Sequence, residues 1–255
     1  MKNKPAILYY SLASLFWLLL WQVAAKQIGK ELFLPAPIQV FTVLVTELLP
    51  SKSFWICVLS SFLRIGAGFL SGLAAGVSLA VASHCCEPVK ILLWLPIKVI
   101  KAVPVASFVI LTLLWMDSSM LAVFIPFLMV LPILYLHTLT ALSQTDQKLL
   151  EMARLFHIPF LNQLSAIYLP HIFPSVLSAC SLAAGMAWKS GIAAEIIGLS
   201  RNSVGNKLYQ AKIYLLTPEL FAWTIVIVLL SIGWEQLFKL LYRLIGSETS
   251  SIKRS

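Results

Sequence analysis

The sequence has very little charge. Its 255 residues contain 10 Asp and Glu and 19 Lys and Arg, so 11% of the side chains are charged, against about 25% in an average soluble domain. With 60% hydrophobic residues and a mean hydropathy of +0.90, too few polar side chains remain to cover a globule of this size. A soluble enzyme and a disordered chain are excluded on that ground. The net charge of +9 invites a nucleic-acid reading, but the basic residues are scattered and form no cluster of five. Basic residues beside apolar runs instead reflect anionic lipid and membrane topology.

Chemistry-bearing patterns are lacking too. Acidic residues occur singly, without the paired acids on one helix that a polytopic membrane enzyme would need. His137, His157 and His171 are spread apart and form no HExxH or nucleophile–base pattern. His84-Cys85-Cys86-Glu87 has the composition of a metal site, yet nothing pairs with it at zinc spacing, and Cys57 and Cys180 lie in apolar runs. We read it as a juxtamembrane loop with reduced thiols, and the four cysteines as compatible with no disulfide.

What is present is a series of long uncharged gaps. A membrane helix needs roughly 20 apolar residues. Pro5 to Ala25 carries no charge, nor does Ile65 to Ser83, whose apolar run reaches back to Phe54 with only Arg64 interrupting. Further spans are expected at Ala102 to Met116, Ser118 to Leu139, about Ile172 to Ile197, and Leu220 to Trp234, extendable to Leu241. The expectation is an all-α polytopic membrane protein of about six helices. The third span is short. Pro88 to Lys101 reads as a partly interfacial approach helix leading into a proline-kinked span, with Pro96 and Pro104 tolerated because neighbouring helices satisfy the freed carbonyls. Lys2 and Lys4, an apolar stretch and Val23-Ala24-Ala25 share features with a secretory signal. The length of the run, and Trp17 and Trp21 near its far end, favour a retained helix with an aromatic anchor.

Orientation follows weakly from the basic residues. With the N-terminus inside, Lys2, Lys4, Lys90, Lys148, Arg154, Arg243, Lys253 and Arg254 fall inside, and Lys26, Lys30, Lys52, Arg201, Lys207 and Lys212 outside. An even number of spans puts both termini inside.

Two spans carry stripes of small residues. Gly68, Gly72 and Gly76 recur every four residues, a nearly flat face that lets another backbone approach closely. Ala183, Ala187 and Gly191 repeat the device in the fifth span, with Ser181 and Gly185 on an adjacent stripe. Such stripes serve either ordinary helix packing or an interface that slides as crossing geometry changes.

The most informative polar stretch lies between the fourth and fifth spans, from Leu142 to Pro159. Asp146 to Phe156 can form a short amphipathic helix, with Leu149, Leu150, Ala153 and Phe156 on one side and Lys148, Glu151 and Arg154 mostly on the other. Pro159 ends it, and Ile167-Tyr168-Leu169-Pro170 leads into the next span. This segment resembles the EAA loop of binding-protein-dependent ABC importer permeases. In that family Glu-Ala-Ala precedes a Gly four residues after the second Ala, and Ile-x-Leu-Pro follows beyond nine further residues. Glu151-Met152-Ala153 stands for the first part, and Ile167, Leu169 and Pro170 complete it at the expected distance. His157 replaces the family Gly, and it is a residue type that tolerates a left-handed conformation better than most. Leu34-Pro35-Ala36-Pro37 is similar to the Leu-Pro-Ser-Pro of the nitrate/sulfonate/taurine branch. Ser60-Ser61-Phe62-Leu63-Arg64 with Gly68-Phe69, the spacing of Pro96 and Pro104, and Ala187-Trp188 with Ala193-Ala194-Glu195 resemble further motifs of that branch. The Gly-Leu-Gly expected afterwards is reduced to Ser203-Val204-Gly205.

The resemblance implies a type I ABC importer permease fold in a bacterial inner membrane. The whole chain, 1–255, would form one permease domain, with its core at about 55–242 and a cytoplasmic coupling loop at about 140–170. It implies no cofactor in this chain. No Gly-x4-Gly-Lys-Ser/Thr occurs, so ATP and Mg would be held by a separate ATP-binding subunit. Glu151, Met152, Ala153, Arg154 and His157 would dock on that ATPase, Leu169 and Pro170 would act as the hinge, a second permease copy would complete the path, and an extracytoplasmic binding protein would deliver a small solute. Arg64 either snorkels to the interface or meets an anionic solute or partner helix. Lys189 and Glu195 lie about 120° apart around one helix and are not a simple pair; both, with Trp188, are candidates for the path, against packing or outer-surface roles. The rival readings are a polytopic membrane enzyme and the substrate-capturing membrane component of a vitamin-type importer.

Overall fold

The computed structural model describes residues 4–252; the side chains of residues 4–8, Tyr10, Gln147, Arg154, Phe160, Leu161, Leu164, Ser165, Phe238, Lys239 and 241–252 are outside the described set. Lys2, Lys253 and Arg254, and the side chains of Lys4 and Arg243, invoked above for orientation, therefore lie outside it. Among the described residues every element is helical: α1 (Lys4–Ile28), α2 (Pro37–Val43), α3 (Lys52–Cys85), α4 (Glu87–Ala102), α5 (Val105–Thr112), α6 (Ser118–Ser143), α7 (Gln147–Leu155), α8 (Phe160–Gln163), α9 (Leu169–Gly198), α10 (Val204–Ile213) and α11 (Thr217–Ile252). Among the described residues five helices are long and apolar enough to cross a membrane, and the bent pair α4–α5 raises this to six if it counts as one span. The all-α polytopic architecture read from the charge gaps is the observed one.

The third span differs in form from its expectation. The approach helix expected at Pro88 to Lys101 is α4, but the kinked span expected after it is only the short α5, which leaves α4 at an angle of 104°. Pro104 causes the break. It has no N–H to continue the ladder, and Val103 before it is extended (φ −80°, ψ 132°), as the residue before a proline prefers. At a rise of about 1.5 Å per residue, the 8 residues of α5 are too short to cross a bilayer core alone.

The chain divides into two compact units. The first comprises residues 1–60 and 202–228. Here α1 exposes most of its apolar surface, including Leu15, Trp17 and Leu19, the pattern of a helix solvated by lipid. Trp21 anchors its end by donating from Nε1 to the Pro35 carbonyl at 3.1 Å and stacking at a tilt on Phe221, 5.7 Å between centroids. Pro37 opens α2 with its φ preset for helix, and the Gln39 side chain accepts from the Ala36 amide at 2.9 Å. Thr217 Oγ1 donates to the Leu32 carbonyl at 2.9 Å, and Phe54 lies 5.3 Å from Trp223. Ser203 caps α10 by accepting from the Asn206 amide at 3.1 Å.

The second unit comprises residues 61–201 and 229–255. Its centre is α6, whose Leu121, Ala122, Ile125, Val130 and Leu134 are fully buried. The Gly68–Gly72–Gly76 stripe of α3 lies directly on it. A Cβ at Gly68 would sit 2.3 Å from the Val123 carbonyl oxygen, at Gly72 2.9 Å from Val130 Cβ, and at Gly76 2.9 Å from the Leu131 carbonyl oxygen. The small-residue face of α9 packs along the same helix. Ala179, Ala183, Ala187 and Ala194 are buried, and a Cβ at Gly191 would sit 2.5 Å from Ile65 Cγ1 and 3.0 Å from Pro126 Cγ. Backbones this close exchange dispersion contacts that larger side chains would prevent. At the foot of α4, Ile97 packs with Ala80, Leu131 and Tyr135, and in α5 Val109 packs with Leu121, Ile125 and Ala194.

Candidate functional site

Two features of the second unit carry chemistry. The first is the polar segment after α6. Asp146 caps α7, its Oδ1 accepting from the Lys148 amide at 2.9 Å. The helix ends in a left-handed turn. His157 has φ 50°, and beyond it the Ile158 amide reaches back to the Ala153 carbonyl at 2.9 Å. This six-to-one bond is the Schellman closure, whose turn residue is usually glycine; here histidine makes it. Gln163 then donates to the Ile158 carbonyl at 2.7 Å. A π-helical turn over Leu164–Tyr168 joins α8 to α9, and Pro170 sits in the first turn of α9. The wider turn accommodates the amide that proline lacks.

The outward surface of this segment differs from the sequence reading. Leu149, Met152, Leu155 and Phe156 are exposed, the last two at 79% and 74%, and Glu151 is exposed beside them. Ala153, grouped above with the apolar side and with the residues expected to dock on an ATPase, is fully buried within the chain. A β-carbon facing inward one turn before a tight Schellman closure suits alanine because nothing larger is needed there. The Arg154 side chain lies outside the described residues. Leu169 and Pro170 are exposed at the start of α9, and Tyr168 meets His84, at the end of α3, edge to face with centroids 6.3 Å apart.

The second feature is a set of polar side chains within the apolar spans, which the structure separates into two places. On the inner face of α9, Glu195 is fully buried and its Oε2 accepts from Ser61 Oγ at 2.9 Å, joining α9 to α3. Trp188 is also buried, at 1% exposure. The α9 terminus beyond Glu195 closes through Leu199 at φ 53°, with the Ser200 amide donating to the Glu195 carbonyl at 3.2 Å and the Ser200 hydroxyl bonded to the Ser118 carbonyl. Arg64 belongs to this end: its guanidinium donates to the Arg201 carbonyl at 3.1 Å. Cationic donors are favoured at a helix C-terminus, where carbonyls lack partners.

Lys189 points elsewhere. It lines a cleft of about 380 Å³ together with Ser178, Ser181, Leu182, Gly185, Met186 and Glu235. Glu235 comes from α11, and the carboxylate lies over Gly185, where a Cβ would be 2.6 Å from Oε1. Lys189 and Glu195, paired as candidates in the sequence, therefore occupy different environments. Sequence reasoning missed Glu235 because its charge was read as the end of the last apolar run; the signal was that the run continues beyond it to Leu241. Ser61 was visible only as part of a motif. Cys57 and Cys180 are buried, Cys85 and Cys86 exposed, and none of the four is in a disulfide. No group of three or more metal-ligating side chains is found among the described residues.

These features define a polytopic membrane protein of the transport class. Long apolar spans hold a few ionisable groups around a cleft, and one capped, proline-punctuated segment leaves charged and apolar side chains exposed. The chain belongs to the family of the binding-protein-dependent transport system inner membrane component, whose model matches residues 68–250. It is 26% identical over 229 residues to SsuC of Bacillus subtilis (strain 168), a protein named for aliphatic sulfonates transport as a permease, covering 88% of this chain and 81% of that one. It is 23% identical to the taurine transport system permease protein TauC of Escherichia coli (strain K12), covering 83% and 78%. It is 25% identical to the nitrate import permease protein NrtB of Synechococcus elongatus, covering 77% and 73%. The chain is thus a multi-pass inner-membrane permease of the ABC transporter class and not an enzyme.

Proposed function

We propose that the chain is the path-forming subunit of an ATP-driven importer for a small solute of the sulfonate, taurine or nitrate kind. A separate ATPase subunit holds ATP and Mg, an extracytoplasmic binding protein delivers the solute, and a second copy of the permease completes the path. Residues 1–255 act as one permease domain with a core at about 55–242, both termini are cytoplasmic, and the coupling segment spans about 140–170.

The observation that carries this reading is the surface of α7. A helix that ends in a tight closure, flanked by protein on its Ala153 side, leaves Leu149, Met152, Leu155 and Phe156 bare beside Glu151. Apolar side chains supply contact area for a groove on the ATPase, while Glu151 and Arg154 set register by charge at the rim. His157 holds the closing turn. Leu169 and Pro170, just past the π-helical turn, convert movement of the ATPase into movement of α9. Trp188 and Glu195 support the path from the inner side of α9, Arg64 from α3 beside the C-terminal end of α9, while Lys189 faces the path.

The test is co-purification. Glu151→Lys and Phe156→Asp should each strip the ATPase from the tagged permease while leaving membrane insertion and the thermal melt unchanged. Ala153→Asp is unsuitable, because it buries a charge inside the chain. Full ATPase recovery with both variants would overturn the assignment.

A further inference from the structure

The cleft lined by Lys189 and Glu235 has a composition that a merely anion-conducting path does not need. Its rim combines one cation, one carboxylate and the hydroxyls of Ser178 and Ser181. Both ionisable groups lie in candidate membrane spans, Ala166–Gly198 and Thr217–Leu237. Lys189 is about 13 Å along α9 from Gly198 at the usual helical rise, and it is exposed. A charged side chain within a span is retained where it faces a wet cavity or a partner. The cleft volume, about 380 Å³, falls in the lower range of small-molecule sites.

The glycine at the floor matters. Glu235 Oε1 occupies the space a β-carbon of residue 185 would claim, at 2.6 Å. The acid is thus seated against the α9 backbone on the face that carries Lys189 one turn further on. A purely anionic solute drawn to Lys189 would meet this carboxylate and be repelled by it. A solute with an anionic group at one end and an ammonium at the other satisfies both.

We propose that this cleft is a binding subsite for a small zwitterion: Lys189 donates to its sulfonate or carboxylate, and Glu235 accepts from its ammonium. Ser178 and Ser181 supply neutral hydrogen bonds, and Gly185 positions the acid. This deepens the importer reading and rests on it.

The test uses the permease purified with its ATPase and two probe pairs matched in size: 2-aminoethanesulfonate against ethanesulfonate, and glycine against acetate. Binding is followed by titration calorimetry. The zwitterion of at least one pair should bind about tenfold tighter than its anion, the scale of one charge-assisted hydrogen bond. Glu235→Gln should bring that ratio to about one, and Lys189→Met should weaken both members. Gly185→Ala should mimic Glu235→Gln, because the added methyl displaces only the flexible end of the carboxylate and leaves the fold intact. The double variant Lys189→Met, Glu235→Gln should not recover binding. Three results would each overturn the proposal: no zwitterion preference in either pair, single variants that bind like the parent, or recovery in the double variant, which would mean that the two charges only neutralise each other. Loss of the ATPase from the parent complex would instead fault the importer reading.

Discussion

Replacing Gly68 with alanine places a methyl carbon 2.3 Å from the Val123 carbonyl oxygen and 3.0 Å from Pro126 Cβ. Both obstacles belong to the first half of α6. A carbonyl committed to a helix cannot step aside as a side-chain tip can, so α3 and α6 must separate. Overpacking of this kind costs about 1–3 kcal/mol. The same helix carries its own control. At Gly66 the nearest atom to an added Cβ is Trp234 Cη2 at 3.5 Å, an ordinary contact, and Gly to Ala in a helix interior gains about 1 kcal/mol of propensity. That gain applies equally to both positions and cancels between them. Gly68→Ala should therefore lie about 1–3 kcal/mol below Gly66→Ala, or about 2–12 °C in melting temperature at about 2–4 °C per kcal/mol for a chain of this size. The assay is a fluorescence-detected melt of the detergent-purified permease. Equal melting temperatures for the two variants would refute the argument that the stripe exists for close approach to α6. A stripe built to slide rather than to pack would instead lower transport without lowering the melt.

Further outcomes follow from single contacts. Ser61→Ala removes the donor to the buried Glu195 carboxylate and should destabilise the permease by about 1–3 kcal/mol, read in the same melt; an unchanged melt would mean that the bond contributes nothing. His157→Gly should stabilise the α7 closure by about 1 kcal/mol, because glycine adopts φ 50° without the penalty other residues bear, and His157→Val should loosen it. Hydrogen exchange at the Ile158 amide, which holds the closing bond, reports both. Slower exchange in the valine variant than in the parent would contradict the assignment.

How much of this was legible along the chain differs by element. The positions of α1, α3, α6, α9 and α11 follow from where charge is missing, because transfer into lipid is summed locally over a run of roughly 20 residues. The short helix α7 was equally readable, from Asp146 at its start and Pro159 after its end. The α4–α5 pair was only half legible. Pro104 announced a break, but a proline marks where a helix stops and not the direction in which the next one leaves, here 104° away.

The functional side chains divide along the same line. Lys189 and Glu195 were recognisable as ionisable groups in an apolar span, and their angular separation was already set by their spacing. Which of them faces a neighbouring helix and which faces a cleft is not written in that spacing, since a helix wheel has no absolute orientation until something packs against it. Packing supplies it. Gly191 seats against Ile65 and Pro126, which turns Glu195 toward Ser61 and leaves Lys189 outward with Glu235, a residue from a different helix. Ala153 makes the same point in α7: the pattern groups it with Leu149 and Phe156, yet it is buried while they are exposed. That the chain lives in a membrane, and about where its spans run, follows from consecutive residues, because hydrophobicity, caps and breaks are local properties. Which charges share a cleft is settled by packing alone, because that depends on helix rotation and on contacts between residues far apart along the chain.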